Sequence, residues 1–277
     1  MDRLIRWRKR RDRVLVMGVL NITPDSFYAG GRYMRPEDAI EHGLRMAQEG
    51  ADIIDIGGES SRPGSRSISS TEELERVLPV IEGVHRKSDV WLSIDTTKAA
   101  VAEEAIACGA SIVNDTSALR FDPNMAKAIG ESERFVILMH MLGTPETMQI
   151  NPTYTDPVNE IKAFLAERIE AAVNFGIDNE RIIIDPGIGF GKRLQHNLAL
   201  LKELSSFATL RAPILVGLSR KSFLGKLLDL PSEERLEGTI AANAVAIANG
   251  ADIIRVHDVK EGRRTADVAY RLRHDRR

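Results

Sequence analysis

Eight short runs of apolar and β-branched residues recur along the chain, each followed by a stretch of helical character. They read VLVMGVLN (14–21), DIIDIGGE (52–59), WLSIDT (91–96), SIVNDT (111–116), FVILMH (135–140), RIIIDP (181–186), PILVGLS (213–219) and DIIRVHD (252–258). Near-continuous apolar runs of this length predict parallel strands buried on both faces. The intervening segments, such as PEDAIEHGLRMAQEG and PVNEIKAFLAERIEAAVNFG, carry the spacing of amphipathic helices. Pro36 lies near one helix start, and Gly50 and Gly176 just past two helix ends. Three helix-to-strand joints, EGADII, CGASIV and NGADII, are nearly the same, which predicts a repeated unit whose helices stop at glycine. Eight strands alternating with helices over 277 residues predict a single (β/α)8 TIM barrel. A doubly wound open sheet is the competing arrangement, but no GxGxxG follows the first run. No Pro/Ser-rich linker divides the chain, so residues 14–277 are expected to form one barrel domain behind a basic N-terminal arm, residues 1–13.

The polar positions sharpen this picture. Nearly every apolar run ends in a group able to do chemistry: Asn21, Glu59, Asp95, Asn114, His140, Asp185, Ser219, and Arg255 with His257. In a barrel these ends converge on the C-terminal mouth, where active sites of this fold lie. A single polar strand end would read as a helix cap, but caps do not select Asp, Asn, Arg and His eight times over.

Composition changes the picture little. Apolar residues make up 43% and charged residues 28%, as in ordinary globular proteins, and a net charge of −2 argues against nucleic-acid binding through bulk electrostatics. The arm MDRLIRWRKRRDR is strongly basic and reads as a solvated lead-in to the first strand; it lacks the apolar core of a signal peptide. No apolar run approaches a membrane span, so neither a membrane nor a nucleic acid is expected as partner. A single cysteine, Cys108, allows no intramolecular disulfide and suits a reducing cytoplasm.

Asp95, Asn114 and Asp185 would place two carboxylates and an amide deep in a cavity. A planar heterocycle with an amidine-like edge is a natural partner, since a carboxylate accepts two parallel hydrogen bonds from it. A carboxylate metal site or an internal salt-bridge network would use the same residues. Arg255 and His257, two apart on the last strand, suit a phosphate or diphosphate. Lys221 in SRKS could anchor an anion, bond a carbonyl or form a Schiff base, whereas Arg220 reads as solvated. The loops GGESSRPGS and DPGIGFGK are glycine-rich, which lets backbone approach a ligand. His85, His196 and His274 read as surface residues, and His140 within LMHM as core.

NITPDSF, GGESSRPG, SIDTTK, VNDTSAL, LMHMLGTP, DPGIGFGK, GLSRKSFLG and RVHDV, in that order, closely resemble the dihydropteroate synthase family over residues 14 to 260. The resemblance implies condensation of (7,8-dihydropterin-6-yl)methyl diphosphate with 4-aminobenzoate, giving 7,8-dihydropteroate and diphosphate. It maps pterin-binding roles onto Asp95, Asn114, Asp185 and Lys221, and diphosphate roles onto Asn21, Ser61, Arg255 and His257. Asn21 is the position it associates with Mg2+. The aminobenzoate end maps onto Ser61, Arg62, Pro63, Phe190, Ser219 and Lys221. Asp95, Asp185 and Lys221 are the expected catalytic groups. The resemblance also implies a homodimer and first and second loops that order around diphosphate and metal.

Two departures stand out. Ser61 replaces a common Thr, which keeps the hydroxyl, and FYAGG places Tyr28 and Ala29 where the family often has Ser and Asp. If that Asp orders the closed loop, Asp25 or Tyr28 would have to serve here. The rival functions are a pterin-dependent methyltransferase, a catalytically weak pterin-binding homologue and a Schiff-base aldolase. The first has no use for Arg255, His257 and SSRP, the second rests on Ala29, and the third requires Lys221 to react with a carbonyl.

Overall fold

A computed structural model describes residues 2–23, 35–60, 64–65 and 67–274. Each apolar run contains a strand: β1 (Leu15–Asn21), β2 (Ile53–Gly57), β3 (Trp91–Asp95), β4 (Ile112–Asp115), β5 (Phe135–Met139), β6 (Ile182–Asp185), β7 (Leu215–Gly217) and β8 (Ile253–Val256). They pair in parallel in the order β6-β5-β4-β3-β2-β1-β8-β7, and a parallel bridge between Ile184 and Ile214 closes the sheet on itself. The shell comprises α2 (Pro36–Gln48), α3 (Ser70–His85), α4 (Ala99–Ala107), α5 (Met125–Ser132), α6 (Pro157–Asn174), α7 (Leu194–Lys202), α8 (Ser222–Leu228), α9 (Leu236–Ala248) and α10 (Val259–His274). The expected (β/α)8 barrel is the observed fold. At the three repeated joints, Gly50, Gly109 and Gly250 have φ of +104°, +118° and +116°, a conformation in which a side chain would be strained.

Alternation along the strands separates two cores. Leu15, Met17, Ile53, Trp91, Ile112, Phe135, Ile137, Ile183, Leu215 and Ile253 fill the barrel interior as one cluster. Their strand neighbours, such as Val16, Ile54, Leu92, Val113, Val136 and Ile254, pack outward against the helices. Because the side-chain period of a strand is two, the inward set continues upward into polar residues. Asp55 follows Ile53, Ser93 and Asp95 follow Trp91, Asn114 follows Ile112, Asp185 follows Ile183, and Arg255 follows Ile253. The same parity that makes the barrel floor apolar therefore delivers the mouth its charges.

The arm departs from expectation. Residues Asp2–Arg10 form a helix, α1, and Leu4 and Trp7 are 1% and 4% exposed within the interior cluster. The Trp7 indole N–H donates to the Arg13 carbonyl at 2.8 Å. Arg8 donates to the carbonyls of Ile182, Asn179 and Arg211, and Arg11 pairs with Asp252 at 3.0 Å. The arm is not a solvated lead-in: burial of two apolar side chains one helical turn apart seats it over the N-terminal end of the barrel.

Candidate active site

The site is built from the strand ends upward. Asp55, fully buried in the middle of β2, accepts hydrogen bonds through Oδ2 from Arg255 Nε at 2.6 Å and Asn114 Nδ2 at 3.1 Å. Arg255 Nη2 donates to Oδ2 of Asp95 at 2.8 Å. Strand register sets this up, since Asp95 of β3 stands opposite Gly57 of β2 and Asn114 of β4. Burial pulls the Arg255 guanidinium down, but Asp55 and Asp95 outweigh it and raise its pKa. Burial and the neighbouring Asp55 push the Asp95 carboxyl up to about 7, with Arg255 opposing. Two buried atoms beside this network, Asp55 Oδ1 and Ser93 Oγ, have no hydrogen-bond partner among the described residues, and their residues face each other in register.

A second group faces it from the other side of the barrel. Asp185, the last residue of β6, accepts from the Gly187 N–H at 2.7 Å, and burial raises its pKa against the opposing charge of Lys221. Lys221 caps the start of α8, donates to the Ile188 carbonyl and lies 4.7 Å from the centre of the Phe190 ring. Burial lowers its pKa to about 8, with Asp185 opposing. Phe190 packs on Met139, Met141 and Met148, an apolar wall beside the charges.

The loop that carries Ile188 and Phe190 is tied on every side. Gly189 N–H donates to Asn197 Oδ1, the Gly189 carbonyl accepts from Gln149, and the Gly191 carbonyl accepts from the Tyr154 hydroxyl. A Cβ at Gly187 would stand 1.9 Å from the His140 carbonyl, so the loop's close approach to β5 requires glycine there. Beneath it, Lys192 is buried and donates to His140 Nδ1 at 2.9 Å, the Phe190 carbonyl at 3.0 Å and the His140 carbonyl at 3.4 Å. Burial lowers the Lys192 pKa well below its ordinary value. Burial, then the charge of Lys192, brings the His140 imidazole down to about 2, so His140 is neutral and accepts at Nδ1. Core placement of His140 is as expected; its lysine partner is not visible in the spacing.

Of the remaining expected residues, Asn21 ends β1, half-buried. A Cβ on Gly57 would meet Asn21 Oδ1 and Asp95 Cβ at 3.5 Å each, which places the amide and the carboxylate on either side of that bare glycine. His257 lies one residue beyond β8 rather than on it, and its Nδ1 lies 3.0 Å from Ser219 Oγ. Ser219 is thus bound to His257. Arg220 is not solvated; it forms a two-point pair with Asp258 at 2.9 and 2.8 Å. Glu59, two residues past β2, pairs with Lys98 at 2.6 Å and accepts from Ile68 N–H and Ser67 Oγ, while Lys98 also bonds the fully buried Glu73. A cavity of about 250 Å³ lies beside this brace, lined by Glu59, Glu73, Asp95, Thr96, Lys98 and Thr116 among others. Ser61, Arg62 and Pro63 lie outside the described residues, as do Asp25, Tyr28 and Ala29.

Barrel and mouth together define an enzyme of the pterin-handling α/β barrels, and the family model described as "Pterin binding enzyme" matches residues 17–257. The chain is 47% identical over 246 residues to dihydropteroate synthase of Escherichia coli (strain K12), covering 89% of this chain and 87% of that one. It is 46% identical to dihydropteroate synthase of Bacillus subtilis (strain 168), over 93% of this chain and 88% of the other. The Yersinia pestis dihydropteroate synthase solved with a sulfonamide drug superposes with a TM-score of 0.91 at 45% identity, covering 95% of each chain. The Xanthomonas albilineans enzyme in complex with 7,8-dihydropteroate superposes at 0.85 and 42%, again over 95% of each. The chain belongs to the pterin binding enzyme family, as a dihydropteroate synthase, a transferase of the pterin-methyl group.

Proposed function

We propose that the mouth condenses (7,8-dihydropterin-6-yl)methyl diphosphate with 4-aminobenzoate, the pterin lying against Asp95, Asn114, Asp185 and Lys221. The observation that carries this reading is Arg255 held between Asp55 and Asp95 with Asn114 on the same carboxylate. That network supplies carboxylates for an amidine-like edge, and the unpartnered Asp55 Oδ1 and Ser93 Oγ suit a ligand rich in hydrogen-bonding groups. Arg255, His257 and Ser61 serve the diphosphate. Ser61, Arg62, Pro63 and Phe190 serve the aminobenzoate, with Lys221 and Ser219 near its carboxylate.

The reaction we favour is dissociative. The bond between the pterin methylene carbon and the diphosphate oxygen breaks first, and its electron pair leaves with the diphosphate. Asp95 and Asp185 stabilise the resulting cation electrostatically. The aromatic amine then forms the carbon–nitrogen bond and releases a proton to solvent. No protein nucleophile is required.

Among the described residues no group of three or more His, Cys, Asp or Glu side chains could hold a metal. The Asn21 amide oxygen suits a Mg2+ ion, with phosphate oxygens and water completing its shell. When bound, it would neutralise charge on the diphosphate. A cytoplasmic homodimer is part of the same reading. Leu227 and Leu228 of α8, Val245 of α9, and Val268 and Leu272 of α10 are exposed apolar residues on three successive shell helices. No helix among the described residues is long and apolar enough to cross a membrane.

The test is diphosphate release from the dihydropterin diphosphate, with and without 4-aminobenzoate and Mg2+. Diphosphate release supports the reading, and no release under any of these conditions would overturn it. Full turnover by Asp185→Asn, with an unchanged KM for the pterin substrate, would overturn the assignment of Asp185.

A further inference from the structure

Beyond their last paired residues, β7 and β8 keep their register. Gly217 stands opposite Arg255, and the same offset of 38 residues brings Ser219 to His257 and Arg220 to Asp258. The two rungs face different ways. Ser219 and His257 share the parity of Gly217 and Arg255, which is the parity of the mouth. Arg220 and Asp258 have the other parity, and Arg220 reaches toward the residues that open α9.

The inner rung rests on one hydroxyl: Ser219 Oγ accepts from the His257 N–H at 3.2 Å and lies 3.0 Å from His257 Nδ1. The outer rung is stronger. Arg220 donates from Nε and Nη2 to the two oxygens of Asp258, a fork that fixes direction as well as distance. Both side chains are largely buried, where water competes less for the pair. The remaining Nη1 donates to the Ser232 and Glu233 carbonyls at 3.2 and 2.9 Å. The backbone of Arg220 is held too, its N–H by Thr239 Oγ1 and its carbonyl by Arg235 Nη1, each at 3.0 Å.

The conformation of Arg220 shows what this bracing holds. The Lys221 N–H closes a four-residue turn on the Leu218 carbonyl at 3.2 Å, and Arg220, third in that turn, has φ of +55°. A turn alone would favour glycine or asparagine there. With arginine in that place, the turn is tied to the loop after β8. The same turn sends Lys221 back over the mouth: a Cβ on Gly217 would stand 3.7 Å from Lys221 Nζ and 3.8 Å from Arg255 Cβ.

We infer that Arg220 and Asp258 are positioning residues of the condensation. Their fork fixes the loop that carries Ser219 and Lys221 against the loop that carries His257. It thereby sets the separation between the aminobenzoate and diphosphate ends of the site. The inference rests on the roles proposed above for Ser219, Lys221 and His257, through which Arg220 and Asp258 act. An ion pair that only braced the shell would move Tm and leave both KM values in place.

The test is a double-mutant cycle on the full chain: Asp258→Asn, Arg220→Gln and the two together. Each is assayed for Tm and, well below that temperature, for kcat and both KM values. Each single variant should raise the KM for the dihydropterin diphosphate and for 4-aminobenzoate together. The expected rise is about tenfold, the scale of hydrogen bonds to a charged group, with a smaller fall in kcat. The double variant should be no worse than the more affected single, because the fork is already lost. Asp258→Asn leaves Arg220 its carbonyl and backbone bonds; if Arg220→Gln does not fold, Arg220→Lys completes the cycle. Lys221→Ala and His257→Ala serve as references. If they raise KM values and Asp258→Asn does not, the inference alone falls. If neither reference moves either KM, the reading of the site falls and the inference with it. A rise in only one KM for Asp258→Asn, additive effects in the double variant, or a lowered Tm with both KM values intact also overturns it.

Discussion

Arg255 is clasped by two carboxylates at once, its Nε 2.6 Å from Asp55 and its Nη2 2.8 Å from Asp95. Asp55 holds the Asn114 amide with the same oxygen, so one fully buried side chain fixes a cation and an amide at the mouth. Replacing it by Ala leaves both without that partner. For Asp55→Ala we expect a loss of about 3 kcal/mol, the low end for breaking a buried pair because Asp95 still holds Arg255. The KM for the pterin substrate should rise more than kcat falls. Chemical denaturation and steady-state kinetics check the two halves separately; unchanged stability would show that Arg255 is held by Asp95 alone.

The same geometry makes pH a probe. The Asp95 carboxyl is raised from 3.8 to about 7, so between those values the native state holds a proton that the unfolded chain has lost. Its contribution to stability is therefore full below the lower value, declines as pH rises through the upper one, and is flat beyond. On the proposed mechanism activity should run the other way on this limb, because there an ionised Asp95 stabilises the cation. Above about 8, loss of the Lys221 charge should lower activity again. The expected kcat/KM profile is a bell with a narrow top, and Lys221→Arg should extend its alkaline side. In Asp95→Asn, the fall of Tm with rising pH over the acid limb should be shallower than in the parent.

The strand ends were legible because a polar residue after an apolar run stands out, and Asn21, Asp95 and Asp185 do close their strands. Asp55 was not, because it sits inside IIDIG and is flanked by isoleucines on the outward face. The signal was parity: Asp55 shares its face with Ile53, which fills the interior, and with Gly57 at the mouth. Lys192 was hidden for another reason. Its partner His140 is 52 residues away, and only the pairing of β5 with β6 brings them together. In the arm, charge drew attention from Leu4 and Trp7, whose spacing of three already marked a helix face.

That helix face carries a prediction of its own. Trp7 is 4% exposed and packs with Leu4 into the interior cluster. For Trp7→Ala we expect a loss of about 3–5 kcal/mol, the usual cost of truncating a buried aromatic side chain. Urea denaturation measures it. Because α1 sits at the opposite end of the strands from Asp95 and Asp185, kcat/KM below the lowered Tm should match the parent. A variant with parental stability would mean that α1 is not seated in solution.

Lys192 offers the sharpest separation of structure from function. It donates to the Phe190 and His140 carbonyls and to a neutral imidazole, and no carboxylate among the described residues bonds it. Lys192→Met removes a desolvated ammonium but leaves the His140 imidazole and two carbonyls without their donor, so a stability loss of about 1–3 kcal/mol is expected. The loop keeps its ties through Asn197, Gln149 and Tyr154, so it should stay folded while the Phe190 wall loosens. We expect the KM for 4-aminobenzoate to rise by about tenfold, the scale of lost hydrogen bonds to a charged group, with the pterin KM little changed. A fall in Tm with both KM values intact would mean that Lys192 only supports the core. Lys192→Arg is the control, since a bulkier cation in that buried space should disturb the loop more than methionine does.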